Sequence, residues 1–236
     1  MTPLSPKLLV TRLAAFCLVF TLLAAARAAD NTPPEGFKAL FNGKDLSGWK
    51  GVMKSPLDNP AERAKASPEE LRAAQEEADE DMRAHWKAVD GVLVFDGEGR
   101  SLATAKDYGD FELYVDWKIE PKGDSGIYLR GTPQVQIWDP ALNDVGSGGL
   151  FNNKKPENPS KPATVADKPV GEWNTFRIKM AGERVTIYLN DVLVVDGVVL
   201  ENYWERDKPL YARGPIELQN HGNTLYFKNI YLRELK

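Results

Sequence analysis

From residue 85 to the C-terminus, apolar and polar side chains alternate with a period of two, in short runs broken by turn residues. The runs 92–95, 110–120, 126–131, 134–139, 173–181, 184–196, 215–220 and 225–235 read as strands. No helical stretch separates them, so the pattern predicts an all-β antiparallel sandwich. Near the N-terminus, 37–41 is a brief apolar strand, followed by a turn on the Asn-Gly and Gly residues of 42–49. A two-residue repeat splits each strand into two faces. In 111–119 one face is Phe111, Leu113, Val115, Trp117 and Ile119. The other is Glu112, Tyr114, Asp116 and Lys118. Ile127 and Leu129 oppose Tyr128 and Arg130; Val135 and Ile137 oppose Gln134, Gln136 and Trp138. Ile216 and Leu218 oppose Glu217, Gln219 and His221.

The apolar faces predict the core. The polar faces of an antiparallel sheet are ordinarily just wet. Glutamine, tryptophan and histidine are unusual choices for such a face, however. Amides and carboxylates pair with hydroxyls, and aromatic rings pack on sugar C–H faces. The composition therefore points to a sheet face that holds a sugar.

Only residues 67–84 carry strong helix signals. Ser67 is an N-cap, Pro68 stands at the first helical position, and Glu70 is placed for a capping box. The body, LRAAQEEADEDMRA, has few large apolar residues. It reads as one surface helix inserted between strands, with little to bury. Residues 140–172 form a long loop rich in Gly, Asn, Lys and Pro; loops of that length are functional or disordered.

The first 28 residues follow other rules. Lys7 and Arg12 precede an apolar run over 13–23, and the small-residue site Ala26, Arg27, Ala28 follows. This is the order of a secretory signal, and the run is shorter than the ~20 apolar residues of a membrane span. An uncleaved anchor is the alternative. The expected organisation is a signal peptide over 1–28 and one β-sandwich domain over 29–236, secreted or periplasmic, without membrane contact after cleavage. The single cysteine, Cys17, lies inside the apolar run, so the mature chain has no disulfide, thiol nucleophile or thiolate metal site. Cleavage also removes three basic and no acidic residues. It leaves 27 basic against 34 acidic, a net of −7. Such a surface repels phosphate backbones and makes nucleic acid a poor partner.

Two histidines exclude a His-rich metal site, and no HExxH or DxDxDG spacing supports a mixed one. There is no GxSxG elbow. Carboxylates are plentiful: Glu112, Asp116, Glu120, Asp124, Asp139 and Glu217 are candidates for a glycosidase pair, but no tight spacing selects two.

Several segments together resemble the 3-keto-disaccharide hydrolase family. They are GFKALFNGKDLSGW from Gly36, WKAVDGVL from Trp86, YGDFEL from Tyr108 and DSGIYLR from Asp124. QVQIWD from Gln134, KPVGEWN from Lys168, LND from Leu189 and GPIELQNHG from Gly214 complete the set. The resemblance runs in order from about Gly36 to Leu235. It implies a concanavalin-like jelly roll acting on glycosides whose sugar is already oxidised to a ketone at C3. That ketone acidifies the C2 hydrogen. A base removes it, the C1 aglycone oxygen leaves, and water then adds to the enone. The route needs one base and an enolate stabiliser, with an acid for the leaving group as a further option, and imidazole suits the base.

Carried onto this chain, the resemblance makes His221 the first candidate for base or acid, and Arg130 the stabiliser of enolate charge. A salt bridge from Arg130 to Glu112 or Asp139 is the structural alternative. Gln136, Asp139, Glu217 and Gln219 would bind hydroxyls or carry the second proton. Trp138 would pack on the ring, and Tyr128 shares its face. His85 is a weaker substrate-binding candidate, since a helix-end histidine is favoured by the dipole alone. No cofactor is implied and no metal ligands are assigned; a structural Ca²⁺ on carboxylates stays open. The expected partner is a small-molecule or oligosaccharide substrate. A non-catalytic carbohydrate-binding module of the same fold and a two-carboxylate glycosidase are the rival readings.

Overall fold

The computed structural model describes residues 30–142 and 144–236. The signal-peptide reading of 1–28 lies outside the described residues. The strands are β1 (Lys38–Ala39), β2 (Trp49–Gly51), β3 (Trp86–Val89), β4 (Val92–Phe95), β5 (Leu102–Thr104), β6 (Phe111–Ile119) and β7 (Asp124–Leu129). They continue with β8 (Thr132–Trp138), β9 (Asn174–Ala181), β10 (Arg184–Leu189), β11 (Val192–Val199), β12 (Glu217–Leu218) and β13 (Leu225–Glu234). Helices α1 (Pro60–Arg63) and α2 (Pro68–His85) lie between β2 and β3. One sheet has eight strands in the order β11-β10-β9-β6-β13-β4-β3, with β1 also paired to β13. The other has five, in the order β2-β5-β12-β7-β8. The described strand pairs are antiparallel, and the result is the jelly-roll sandwich expected.

The predicted apolar faces form the layer between the sheets. Phe111, Leu113, Val115, Trp117 and Ile119 are buried against Ile127, Leu129, Val135, Ile137, Ile216 and Leu218. Each such side chain contributes ~1.5–3 kcal/mol of transfer free energy. The run 184–196 is two strands instead of one. Asn190 and Asp191 take φ of +51° and +67° and turn β10 into β11, a two-residue hairpin that asparagine and aspartate tolerate. Strands β2, β3 and β5 are too short to show a period of their own.

Helix α2 begins as read, with the Ser67 side chain accepting from the Glu70 N–H at 3.2 Å. It buries more than its sequence suggested. Ala78 and Met82 are buried, and the helix lies along the edge strand β2. Gly51 allows this, because a Cβ there would stand 1.9 Å from the Ala78 carbonyl oxygen. The Gly51 N–H donates to Asp79 Oδ1 (2.9 Å), and Gln75 Nε2 donates to the Gly51 carbonyl (2.9 Å). The helix thereby occupies hydrogen-bonding groups that an edge strand would otherwise present to other chains. Among the described residues, no helix is long and apolar enough to cross a membrane.

Candidate active site

The outer face of the five-stranded sheet carries two neighbouring cavities. The first is a cleft of about 210 Å³ over β7 and β8, lined by Asp124, Tyr128, Gln134, Gln136, Trp138 and His221, with Gln219, Pro133, Phe151, Asn152 and Tyr203 completing it. The alternation that sends Ile127, Val135 and Leu218 inward turns Tyr128, Gln134, Gln136 and Gln219 out together. Asp124 pairs with Trp138 and Gly126 with Gln136 across the β7–β8 ladder.

A chain of polar contacts crosses the cleft floor. Gln134 Nε2 donates to Gln136 Oε1. Gln136 Nε2 donates to Asp124 Oδ1 (2.7 Å) and to the carbonyls of Ser125 (3.0 Å) and Ile137 (3.1 Å). The other oxygen of Asp124 lies 3.5 Å from His221 Nδ1. His221 follows β12 at a turn in which Asn220 Oδ1 accepts from the Gly222 N–H (2.6 Å). More than half of the imidazole side chain is open to solvent, at 58%.

Gly126 sits beneath two glutamine side chains. A Cβ there would meet Gln134 Cδ at 2.9 Å and Gln219 Oε1 at 3.1 Å. Gln219 Nε2 donates to the Tyr128 hydroxyl at 3.4 Å, while its buried Oε1 has no partner among the described residues. Burial, followed by the nearby Glu217 carboxyl, raises the Tyr128 phenol well above its ordinary value, so it stays a donor at neutral pH.

The long loop after β8 is built into this site. The Gly148 N–H donates to the Gln136 carbonyl (2.8 Å) and the Gln136 N–H to the Gly149 carbonyl (2.9 Å). These bonds fasten the loop along β8 and bring Phe151 and Asn152 into the cleft. Trp138 Nε1 donates to the Gly146 carbonyl (2.6 Å), and its ring meets Phe151 edge-on at 5.2 Å. Tyr203 enters from the segment after β11. Sequence reading does not reach Phe151, Asn152 and Tyr203, and it names Asp124 only among six candidate carboxylates. For Asp124 the DSGIYLR segment was a usable signal. The other three come from irregular segments where no periodicity assigns a face.

The second cavity, about 350 Å³, adjoins the first on the β2 side. Lys50, Ala103, Glu217 and Tyr128 form one row across β2, β5, β12 and β7. Lys50, Ala103 and Glu217 face this cavity, and Tyr128 faces the cleft. Burial pushes the Glu217 carboxyl up to about 8, against the pull of Arg63 and Lys50 and with a further push from Asp58.

Three candidates stand elsewhere than their strand position implied. Arg130 is in the β7–β8 turn, with φ of +55° followed by +68° at Gly131, so strand alternation does not apply to it. Its guanidinium donates to the carbonyls of Gly109 (2.9 Å) and Tyr211 (3.2 Å) and to Asp110 Oδ1 (2.5 Å). It borders the second cavity as a buried clamp on three segments, paired with Asp110 and with neither Glu112 nor Asp139. Asp139 follows Trp138 and turns away from the cleft. Its two oxygens accept from the N–H groups of Ala141 and Lys122, both at 2.8 Å, which fixes the turn after β8. His85 lines neither cavity. It ends α2 with Nδ1 3.1 Å from Asp96. Among the described residues no three His, Cys, Asp or Glu side chains gather so as to hold a metal ion.

Comparison with known proteins bears on this geometry. A family model described as the 3-keto-alpha-glucoside-1,2-lyase-like domain matches residues 36–233. A 3-keto-disaccharide hydrolase of Bacteroides thetaiotaomicron is 24% identical across an alignment of 256 positions, spanning 85% of this chain and 79% of its own. Two crystal structures of candidate glycosyl hydrolases from Parabacteroides distasonis share the fold. One has a TM-score of 0.60 at 23% identity, covering 88% of this chain and 100% of its own. The other has a TM-score of 0.61 at 26% identity, covering 86% and 85%.

Proposed function

Because the chain belongs to the 3-keto-alpha-glucoside-1,2-lyase-like family, whose relatives are named as glycoside-cleaving enzymes, we propose that it cleaves 3-keto-glycosides, 3-keto-disaccharides among them, by β-elimination and hydration. The observation that carries this reading is the line from Gln136 through Asp124 to His221 on the floor of one cleft. His221 is the base. It takes the proton from C2, the electron pair forms the enolate with the C3 ketone, and the C1–O bond then breaks toward the aglycone. Asp124 is a positioning residue that steadies the imidazolium, and Gln136 holds the carboxylate in place.

The Tyr128 hydroxyl and the second amide N–H of Gln134 and of Gln219 are the donors available to the enolate oxygen. Donors fixed before reaction cost no reorganisation when charge develops. Gln219 Oε1, without a partner among the described residues, suits a sugar hydroxyl. Trp138 offers its ring to the C–H face. The departing aglycone oxygen takes its proton from solvent; in the second half-reaction water adds at C1 of the enone, releasing the balancing proton to solvent, and the imidazolium returns a proton to C2, so the sum is hydrolysis. The assignment of roles is ours and needs no cofactor. Export to the periplasm or medium fits the signal-like residues 1–28 and the absence of cysteine after them.

The test is aglycone release from a 3-keto-glycoside and from its parent glycoside. Release from the keto compound alone supports the reading, and release from the parent alone contradicts it. Release from neither favours a binding module.

A further inference from the structure

The larger cavity has no role in the chemistry above, yet it is built with care. Its floor is the Lys50, Ala103, Glu217 row, and its roof is the helical insertion, which contributes Pro60, Arg63 and Gln75. Asn59 caps α1 by accepting from the Ala61 N–H (2.9 Å), and Arg63 Nη1 donates to the carbonyls of Leu57 and Asp58 (2.8 Å each). These bonds fix the start of the insertion, whose Pro60, Arg63 and Gln75 share the cavity lining with the sheet row. Glu217 lines this cavity, and Tyr128 lines the cleft; the two residues are direct cross-strand partners. One strand spacing, ~5 Å, therefore separates the two sites, close to the length of one sugar ring.

The lining mixes signs. Lys50 and Arg63 stand beside Asp107 and the Gln75 amide; Arg130 and Arg213 also line the cavity, but their guanidiniums are already engaged by Asp110 and by the Asp107 carbonyl. Lys50 has no carboxylate within ion-pair reach among the described residues. An anion would meet Asp107, with Asp58 near by. A hydroxyl donates and accepts at once, so neighbouring donors and acceptors suit a polyol better than a phosphate or carboxylate.

We propose that this cavity is the subsite for the leaving half of the substrate, and that this half is a second, hydroxyl-rich sugar held by Lys50, Arg63, Gln75, Asp107 and Glu217. The proposal rests on the elimination reading for the bond that is cut. A disaccharide then straddles the ridge of Tyr128 and Glu217, with its keto ring over the glutamines and its leaving ring under the insertion. The α1–α2 insertion becomes a specificity element.

The test compares kcat/KM for a 3-keto-disaccharide with that for methyl 3-keto-glucoside, and takes their ratio. Lys50→Ala and Arg63→Lys should each lower that ratio at least tenfold, through the KM of the disaccharide. A ratio unmoved in both would overturn the proposal. Arg63 also ties the Leu57 and Asp58 carbonyls, so Lys50→Ala is the variant whose fold is least at risk. A second arm uses free glucose as the probe, followed by saturation-transfer NMR on the His221→Ala protein. Glucose signals that disappear on adding Lys50→Ala support the subsite; signals that persist contradict it. If the wild type cleaves neither keto substrate, the elimination reading fails, and the glucose arm still decides the cavity.

Discussion

On the outer face of the eight-stranded sheet, charged groups answer one another. Glu112 accepts from Arg177 Nε at 2.6 Å and from Arg233. Asp116 accepts from Thr175 (2.6 Å) and Asn229 (2.7 Å). The Lys118 ammonium lies 4.2 Å from the Tyr226 ring centroid. On the outer face of the five-stranded sheet, amides and aromatics surround two cavities, the Gln219 Oε1 has no partner among the described residues, and Glu217 holds its proton to about pH 8. In sequence both faces are simply the polar halves of alternating strands. What separates them is closure. Ion pairs and hydrogen bonds within a face make a wall, whereas groups held in place but left unanswered make a site.

Single substitutions on the two faces should therefore fail differently. The largest effect belongs to His221→Ala, which should lower kcat on 3-keto-glycosides by ~10²–10⁴ while leaving the thermal midpoint close to wild type, since the ring is mostly solvated. A midpoint that falls with the activity would make His221 a structural residue.

Next is the pH dependence of stability. Glu217 is protonated up to about pH 8 when folded but ionises near 4.5 when unfolded. The stability gained by keeping it neutral is whole below the unfolded value and is lost as pH rises through the window between the two. The loss is on the order of 5 kcal/mol. Urea melts across that window should show the decline in wild type and a much flatter profile in Glu217→Gln; parallel profiles would contradict the assignment.

Smaller still is Gly126→Ala. Its methyl group presses on the ends of two glutamine side chains, which can move but not without disturbing the floor. KM should rise by roughly tenfold, ~1.4 kcal/mol, the cost of about one good hydrogen bond, with little change in melting. Unchanged KM would remove the glutamines from the site.

The wall supplies the smallest effect. Glu112→Gln should cost about 1 kcal/mol of stability, since Arg177 and Arg233 remain partly exposed and hydrated, and activity should not change. A loss of activity would break the distinction between the faces.

The core and the sandwich were legible because strict alternation leaves Phe111 to Ile119 and their partners one way to pack. The cleft was legible wherever its residues sit on long strands: Tyr128, Gln136 and Trp138 are where parity puts them, and Gln219 follows the parity of β12 beyond its end. Parity misled at strand ends. Arg130 and Asp139 each stand one step past a strand, where a turn redirects the side chain and backbone groups claim it. The walls were hidden for another reason. Phe151, Asn152 and Tyr203 come from irregular segments, Arg63 ends the single turn of α1, and α2 seats itself through Ala78 on Gly51, a contact of small residues with no apolar stripe to announce it.

The central claim is that the five-stranded face removes the C2 proton of a keto sugar through His221. The direct measurement is turnover of a 3-keto-glycoside in D₂O, with NMR of the released keto sugar at early times against a no-enzyme control. Because the solvent-exposed imidazolium exchanges the abstracted proton with D₂O before returning one, the account predicts deuterium at C2 at the rate of aglycone release, both lost in His221→Ala. Aglycone release with protium retained at C2 would contradict it.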